Sequence, residues 1–184
     1  MAIINLKYNV IQPFGNLFRK RCVLVAVEDN SGKIIVGTKT MYPPTIYRLL
    51  GGGVDDGEDL RSAAAREIQE ELDITIKETD LLELSTFVSD VTDEEGRTFH
   101  NETYVYYANI GDKSYEAGDD VSSVIALSLD ELSKLGDQYY TLSEELWYKG
   151  VGESYCWADY AKLYGPVHKT IAEELIALKN TKKG

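Results

Sequence analysis

Cysteine and histidine are scarce in this sequence, whose 184 residues include two of each. Cys22 and Cys156 have no C-x-x-C spacing, and Cys22 lies in an apolar run that is typical of a core strand. His100 and His168 have no metal-ligand spacing, so neither is assigned a role. The sequence therefore favours neither a disulfide framework nor a catalytic thiol.

Positive charge and long apolar runs are also lacking. The chain has 19 Lys and Arg against 31 Asp and Glu, a net charge of −12. This balance argues against binding long nucleic acid and makes an anionic substrate depend on a metal ion and a few local cations. No apolar run approaches the roughly 18 residues of a membrane span, and residues 1–5 do not begin a signal peptide. We therefore expect a cytoplasmic protein without membrane association.

The length and apolar pattern predict one domain over residues 1–184 with mixed secondary structure. Strands are predicted over residues 5–12, 21–27, 33–40, 46–50, 81–88, 99–110 and 121–127. Helices are predicted over residues 59–72, from Ser128 with a capping box to Glu131, and from Pro166, because proline is favoured in a first helical turn. Core packing is the favoured role of the many tyrosines, and base stacking is the alternative.

The first predicted helix carries a cluster of carboxylates. Residues 59–72 contain no Gly or Pro, and acidic residues crowd their start, where they suit the helix dipole. Glu67, Glu70 and Glu71 are spaced by three and four residues and must share a face. Their mutual repulsion is relieved by a hard divalent cation such as Mg²⁺ or Mn²⁺, which also binds phosphate oxygens. The alternative is a solvated acidic face.

Three consecutive glycines precede this helix. Gly51, Gly52 and Gly53 follow the short strand predicted over residues 46–50. Glycine permits a sharp turn, positive φ and close approach to a ligand. The run therefore predicts a tight turn that lets the backbone approach a ligand closely, with a simple glycine-rich turn as the alternative.

Residues 52–74 read GGVDDGEDLRSAAAREIQEELDI. This run resembles the conserved box of the Nudix hydrolases. Eight of the nine specified positions match, namely Gly52, Glu58, Arg66, Glu67, Ile68, Glu70, Glu71 and Ile74. Asp73 replaces the family glycine, and we expect it to end the helix in a left-handed conformation, which Asp tolerates better than most residues. Leu50 stands where many members have proline.

The resemblance implies an α/β (α+β) fold in which a curved mixed β-sheet lies between α-helices. It is sharp over residues 46–76 and looser over residues 21–135. It also implies metal-dependent hydrolysis, with Mg²⁺, or alternatively Mn²⁺, held by Glu58, Glu67, Glu70 and Glu71. The same resemblance implies that the backbone of Gly51, Gly52 and Gly53 forms a substrate or phosphate loop. Arg66 is expected to fix a neighbouring glutamate by paired hydrogen bonds.

The general base is left open between the box glutamates and an acidic residue of the loop over residues 111–120. Asp120 matches the place where family members often supply another acidic ligand or base, and Glu116 and Asp119 are neighbouring candidates. Glu102 is a further candidate, although a solvent-facing strand residue is the favoured interpretation. The basic run at residues 19–21 is interpreted as a solvated strand entrance, with steering of phosphates as the alternative.

The resemblance implies a small-molecule nucleoside diphosphate substrate, most simply ADP-ribose or a nucleotide sugar. A proline that often marks ADP-ribose members is replaced by Asp90. Nucleoside triphosphates and dinucleoside polyphosphates are alternative substrates, and a non-catalytic nucleotide sensor is an alternative of another class. An isopentenyl diphosphate isomerase is disfavoured, because it needs a catalytic cysteine and Cys22 lies in a predicted core strand. A homodimer is expected from the resemblance alone.

Overall fold

The protein is described here by a computed structural model over residues 2–118, 120–151 and 153–181. Its strands are β1 (Ile3–Val10), β2 (Arg21–Asp29), β3 (Ile34–Thr38), β4 (Arg48–Gly53), β5 (Leu82–Asp93), β6 (Thr98–Gly111), β7 (Ser123–Leu127), β8 (Trp147–Lys149) and β9 (Ser154–Cys156). Its helices are α1 (Leu60–Leu72), α2 (Leu129–Tyr139) and α3 (Trp157–Thr181). Every predicted strand and helix region thus contains the predicted type of element.

Seven strands form one mixed sheet in the order β1-β5-β6-β2-β4-β3-β7, and β8 pairs with β9 in a separate hairpin. The pairs β1–β5 and β2–β6 are parallel, whereas β2–β4 and β5–β6 are antiparallel. β2 is central and buried on both faces, which explains its nearly continuous apolar sequence. Helix α1 covers one face of the sheet, and α2 and α3 cover the other.

Two apolar cores separate the sheet from its helices. On one face, Val23 and Val25 of β2 pack with Ile68 of α1. On the other face, Leu24 of β2 packs with Val167 of α3. Successive strand residues point to opposite faces, so one strand supplies both cores. The predicted mixed fold with helices on both faces is confirmed.

The glycine run is part of a strand, and its prediction as a turn was wrong. Gly51, Gly52 and Gly53 pair with Leu24, Val23 and Cys22 of β2. Of the three, Gly51 alone takes a positive φ, 136°. A Cβ atom on Gly51 would lie 2.2 Å from the carbonyl oxygen of Val23. Close backbone approach therefore explains glycine here, as predicted, although the near neighbour is a strand.

Helix α1 has the ends that its sequence predicts. The carboxylate of Asp59 accepts the backbone N–H groups of Arg61 and Ser62 and caps the start. Asp73 ends the helix with φ 54° and ψ 34°, and its N–H donates to the Gln69 carbonyl. The left-handed cap predicted for Asp73 is confirmed.

We expect Asp73→Gly to stabilise the protein by about 0.5–1 kcal/mol. Glycine adopts the left-handed conformation without the cost borne by an L-residue, and the change removes a negative charge from the negative end of α1. The lost hydrogen bond from Gln69 Nε2 to Asp73 Oδ1 is exposed and contributes little. Thermal unfolding of the wild type, Asp73→Gly and Asp73→Asn measures the effect. Asparagine should give an intermediate Tm, and a lower Tm for glycine would contradict this account.

The last helix begins nine residues earlier than predicted. Pro166 lies inside α3, which starts at Trp157, so its assignment to the first turn was wrong. The earlier turns are held by aromatic packing, including the stacked rings of Tyr160 and Tyr164 with centroids 4.3 Å apart. Long-range packing therefore extends the helix in front of the proline. Among the described residues, no helix is both long and apolar enough to cross a membrane.

Candidate active site

A cavity of about 770 Å³ opens where the glycine end of β4 meets α1. The side facing α1 includes Arg19, Gly51, Gly52, Gly53, Asp55, Asp56, Arg66, Glu67, Glu70 and Asp120, with Arg19 beside Gly53. The opposite side includes Phe14, Gly15, Asn16, Met41, Tyr42, Glu153, Tyr155 and Tyr160. The residues predicted as catalytic and the glycine run therefore share one cavity.

Arg66 ties the box carboxylates together. Its Nε and Nη2 donate to the two carboxylate oxygens of Glu58 at 2.9 and 3.0 Å. Its Nη1 donates to Glu67 Oε1 at 2.9 Å and to Glu70 Oε2 at 3.1 Å. Nη2 also donates to the carbonyl oxygen of Gly53. The paired hydrogen bonds predicted for Arg66 are present, and they link α1 to β4.

Glu71 lies behind this group, with 2% of its side chain exposed. Its carboxylate accepts the N–H of Gly51 at 2.7 Å and lies 3.6 Å from Arg48 Nη2. Lys39 Nζ lies 3.9 Å from Glu71 Oε1 and 3.8 Å from Asp120 Oδ2. Lys39 therefore joins the buried box glutamate to the acidic residue predicted from the later loop.

Burial and neighbouring cations shift the pKa values of the box carboxylates in different directions. Burial raises the pKa of Glu71, against the opposing effect of Arg48. Burial also raises the pKa of Glu67, against hydrogen bonding from Arg66. Hydrogen bonds from Arg66 lower the pKa of Glu58. Glu67 and Glu71 thus carry negative charge that their surroundings only partly offset.

The donor chemistry of the site fits a divalent cation. Glu67, Glu70 and Glu71 provide hard carboxylate oxygens on the α1 side facing β4. A Cβ atom on Gly52 would lie 2.6 Å from both carboxylate oxygens of Glu67, so glycine leaves room for that group. Within the described ranges, no three acidic, His or Cys side chains already converge as a metal site. Arg66 bonds to three of the predicted ligands, so binding requires these side chains to turn toward the ion.

The loop after β6 is held against the end of α1 at Gly118. The N–H of Gly118 donates to the carbonyl oxygen of Glu71 at 3.0 Å, and a Cβ there would lie 2.0 Å from the Glu70 carbonyl. This contact brings Asp120 to the cavity. Glu116 instead lines a separate recess near Leu72.

Two other acidic candidates remain, Asp119 and Glu102. Asp119 lies outside the described residues. Glu102 accepts a hydrogen bond from the Tyr104 hydroxyl and lies 3.7 Å from His100 on the surface of the sheet. The solvent-facing interpretation of Glu102 therefore agrees with its position.

Among the charged residues of the site, Arg19, Lys39, Arg48 and Glu153 were not assigned a role from the sequence. Arg48 had a signal, because it is a lone charge in an apolar strand and is 7% exposed. Arg19 belongs to the basic run for which solvation was preferred, yet it lines the cavity beside Gly53. Lys39 and Glu153 had no comparable local signal, since long-range contacts place them.

His168 connects α3 to the strand beneath the site. Its Nε2 accepts the N–H of Leu49 at 3.1 Å, and its Nδ1 donates to the Tyr164 carbonyl at 2.5 Å. Both contacts suit the neutral ring. Burial, with a smaller effect of Arg48, lowers the pKa of His168 to about 4.

We expect the burial of His168 to make the folded protein less stable as the pH is lowered. Between about pH 6.5 and 4 the unfolded chain binds more protons here, because the folded pKa is the lower one. The contribution is present above pH 6.5 and is lost toward pH 4, and it amounts to roughly 3 kcal/mol at about 1.4 kcal/mol per pKa unit.

Urea unfolding of the wild type and His168→Gln at pH 7 and pH 4 isolates this contribution. Glutamine can accept from Leu49 and donate to Tyr164 without titrating. Glu67 and Glu71, with raised pKa, act in the opposite direction in both proteins and cancel in the comparison. Parallel losses of stability in the two proteins would disprove the role of His168.

The sequence and the structure of this chain match those of known proteins. A family model described as the NUDIX domain matches residues 18–146. An RNA pyrophosphohydrolase from Dinoroseobacter shibae is 32% identical over 63 residues, covering 34% of this chain and 39% of that protein. The match thus spans well under two thirds of this curated relative.

Two solved structures share the fold. An Ap4A hydrolase of C. elegans in a binary complex has a TM-score of 0.53 and 19% identity, with 86% of this chain and 98% of that chain covered. The NUDIX domain of Shewanella oneidensis NrtR, complexed with ADP ribose, has a TM-score of 0.50 and 18% identity, with 63% and 77% covered. At these identities the likeness establishes the fold alone.

Proposed function

Since the NUDIX domain match covers residues 18–146, the chain belongs to the Nudix family, and on this premise we propose that it is a metal-dependent pyrophosphohydrolase. Its substrate is a nucleoside diphosphate linked to another group, namely ADP-ribose or a nucleotide sugar. The observation that supports this most directly is the set of carboxylates around Arg66, which faces a cavity beside a glycine strand. A cavity of about 770 Å³ is also large enough for both halves of such a substrate.

Glu67, Glu70 and Glu71 would hold Mg²⁺ or Mn²⁺, with Glu58 joining them directly or through water. When bound, the ion supplies neutralisation of phosphate charge and acidifies a water molecule. Arg66 orients Glu67 and Glu70 toward the cavity. These roles account for the three acidic side chains around Arg66 and for the fourth, Glu71, beside Arg48.

The basic residues of the cavity would bind the substrate, and an acidic residue would accept the proton. Arg19 and Lys39 line the cavity and would bind phosphate oxygens, which offsets the negative charge of the whole chain. Glu67 is the first candidate for the general base, because it lines the cavity. Asp120 is the second candidate for this role.

A Mg²⁺-dependent hydrolysis screen tests the proposal. The compounds are ADP-ribose, nucleotide sugars, dinucleoside polyphosphates and nucleoside triphosphates. We expect turnover of the sugar-linked diphosphates, abolished by EDTA. Turnover confined to another class would reassign the substrate, and tight nucleotide binding without turnover would favour a sensor. A single domain over residues 1–184, a homodimer and a cytoplasmic location stay predictions.

A further inference from the structure

The cavity wall opposite α1 is built largely by the two ends of the chain. Phe14, Gly15 and Asn16 come from the segment after β1, and Glu153 and Tyr155 come from the β8–β9 hairpin. All five lie outside residues 18–146, which match the family domain. This wall is therefore a feature added to the shared core, where substrate selection can differ between relatives.

Buried contacts hold the wall in place. Asp159 is fully buried, and its Oδ2 accepts the N–H groups of Ile11 and Gln12 at 2.7 and 3.3 Å. The N–H of Gly15 then donates to Glu153 Oε1 at 2.7 Å. The N-terminal segment is thus fixed to α3 and to the hairpin, and the Glu153 carboxylate has a set position on the cavity.

The aromatic rings of the wall offer little open surface for stacking. Phe14, Tyr155 and Tyr160 are 1%, 7% and 4% exposed. Their faces pack against one another, with Phe14 and Tyr160 centroids 5.3 Å apart and Tyr155 and Tyr160 rings stacked. Core packing, as predicted for the tyrosines, accounts for these rings. A nucleobase would find no free ring face among the three.

Glu153 gives the wall its hydrogen-bonding character. An ionised carboxylate is an acceptor only, and Gly15 occupies one of its oxygens. The remaining oxygen can accept hydroxyl protons, whereas it repels a phosphate group. The phosphates of a substrate therefore lie toward Arg19, Lys39 and the metal side, and a neutral, hydroxyl-rich group lies toward Glu153.

We propose that Glu153 is a specificity-determining residue that accepts hydrogen bonds from the sugar hydroxyls of a sugar-linked nucleoside diphosphate. The carboxylate selects for a polyhydroxylated group beyond the diphosphate and against a further phosphate at the same place. This inference rests on the proposed function, since it assigns the sugar end of that substrate.

Glu153→Ala, Glu153→Gln and the wild type should be compared on ADP-glucose, UDP-glucose, GDP-glucose and ATP. Loss of a hydrogen bond to a charged group corresponds to a drop of about 10- to 100-fold in kcat/KM for the alanine variant on all three glucose compounds. Hydrolysis of ATP should rise, because a repulsive charge is removed. Glutamine keeps an acceptor for Gly15, so its effect on the glucose compounds should be smaller.

Glu145→Gln is the matched control, because Glu145 is an exposed glutamate ahead of the same hairpin. Tm values for all variants report on folding. Equal losses of kcat/KM on the glucose compounds and on ATP would show that Glu153 only supports Gly15 structurally, and would overturn the proposal. A loss of kcat/KM that differs among ADP-glucose, UDP-glucose and GDP-glucose would also overturn it, because it would place the nucleobase at Glu153. If the wild type hydrolysed ATP but none of the sugar-linked compounds, the proposed substrate class would be overturned as well. If Glu153→Ala had the kcat/KM of the wild type on the glucose compounds, the role of Glu153 alone would be overturned.

Discussion

Replacing Glu70 with glutamine is expected to lower kcat/KM by about 10²–10⁴-fold, the range for losing a group that acts directly in the chemistry. The neutral amide keeps the size of the side chain but is a much poorer ligand for a hard cation. Folding should be nearly unchanged. Glu70 is 48% exposed, and its ion pair with Arg66 is of the kind that stabilises by at most about 1 kcal/mol.

Glu83→Gln is the matched control for this change. Its ion pair with Arg61 has the same N–O distance as that of Glu70 with Arg66, 3.1 Å, and comparable exposure, 44% for Glu83. Glu83 lies in β5, away from the cavity. Steady-state hydrolysis with Mg²⁺ titration and thermal unfolding should show the control active and Glu70→Gln inactive at similar Tm. Wild-type rates in Glu70→Gln would remove Glu70 from the metal site.

Glu71 would be a less informative position for the same test. Its side chain is 2% exposed and faces the buried guanidinium of Arg48. Removing one partner of a buried pair leaves the other uncompensated, which is costly to folding. A loss of activity at Glu71 would therefore mix metal binding with stability, whereas a loss at Glu70 reports on the chemistry.

The sequence predicted the features of this site that are local. Helix α1 has its own signals, with Asp59 as the cap, alanines inside and Asp73 in the left-handed end. The spacing of Glu67 and Glu70 within one helix fixes their relation before any tertiary contact forms. The capping box of Ser128 and Glu131 is another local motif, and the structure confirms it. The family prediction is confirmed by the domain match over residues 18–146.

The features that escaped prediction depend on long-range contacts. The glycine run is extended because β2 pairs with it, and a run of glycines has no side chains to indicate such pairing. Helix α3 passes through Pro166 because an aromatic core supports the turns before it. Glu153 reaches the cavity through Gly15, 138 residues away in sequence. No local pattern encodes a contact of that separation.

We expect Gly51→Ala to destabilise the protein by roughly 2–6 kcal/mol, from about 1–3 kcal/mol of backbone strain and a similar cost of overpacking. The φ of 136° is unfavourable for any residue with a Cβ. The new atom would also lie 2.2 Å from the Val23 carbonyl and 2.9 Å from the Leu24 Cα, both backbone atoms that cannot rotate away. A loss of this size is a large part of the stability of a typical domain.

Gly57→Ala separates the two causes of this loss. Gly57 has φ 81°, but a Cβ there would meet nothing within 4 Å, so this variant carries the strain of positive φ without the clash. Its expected cost is about 1–2 kcal/mol. Urea unfolding of both variants and the wild type gives the difference directly. If the two variants were equally stable, the close approach of β2 would not be the reason for glycine at position 51. A side chain at that position would then be compatible with the backbone geometry in which the N–H of Gly51 donates to Glu71.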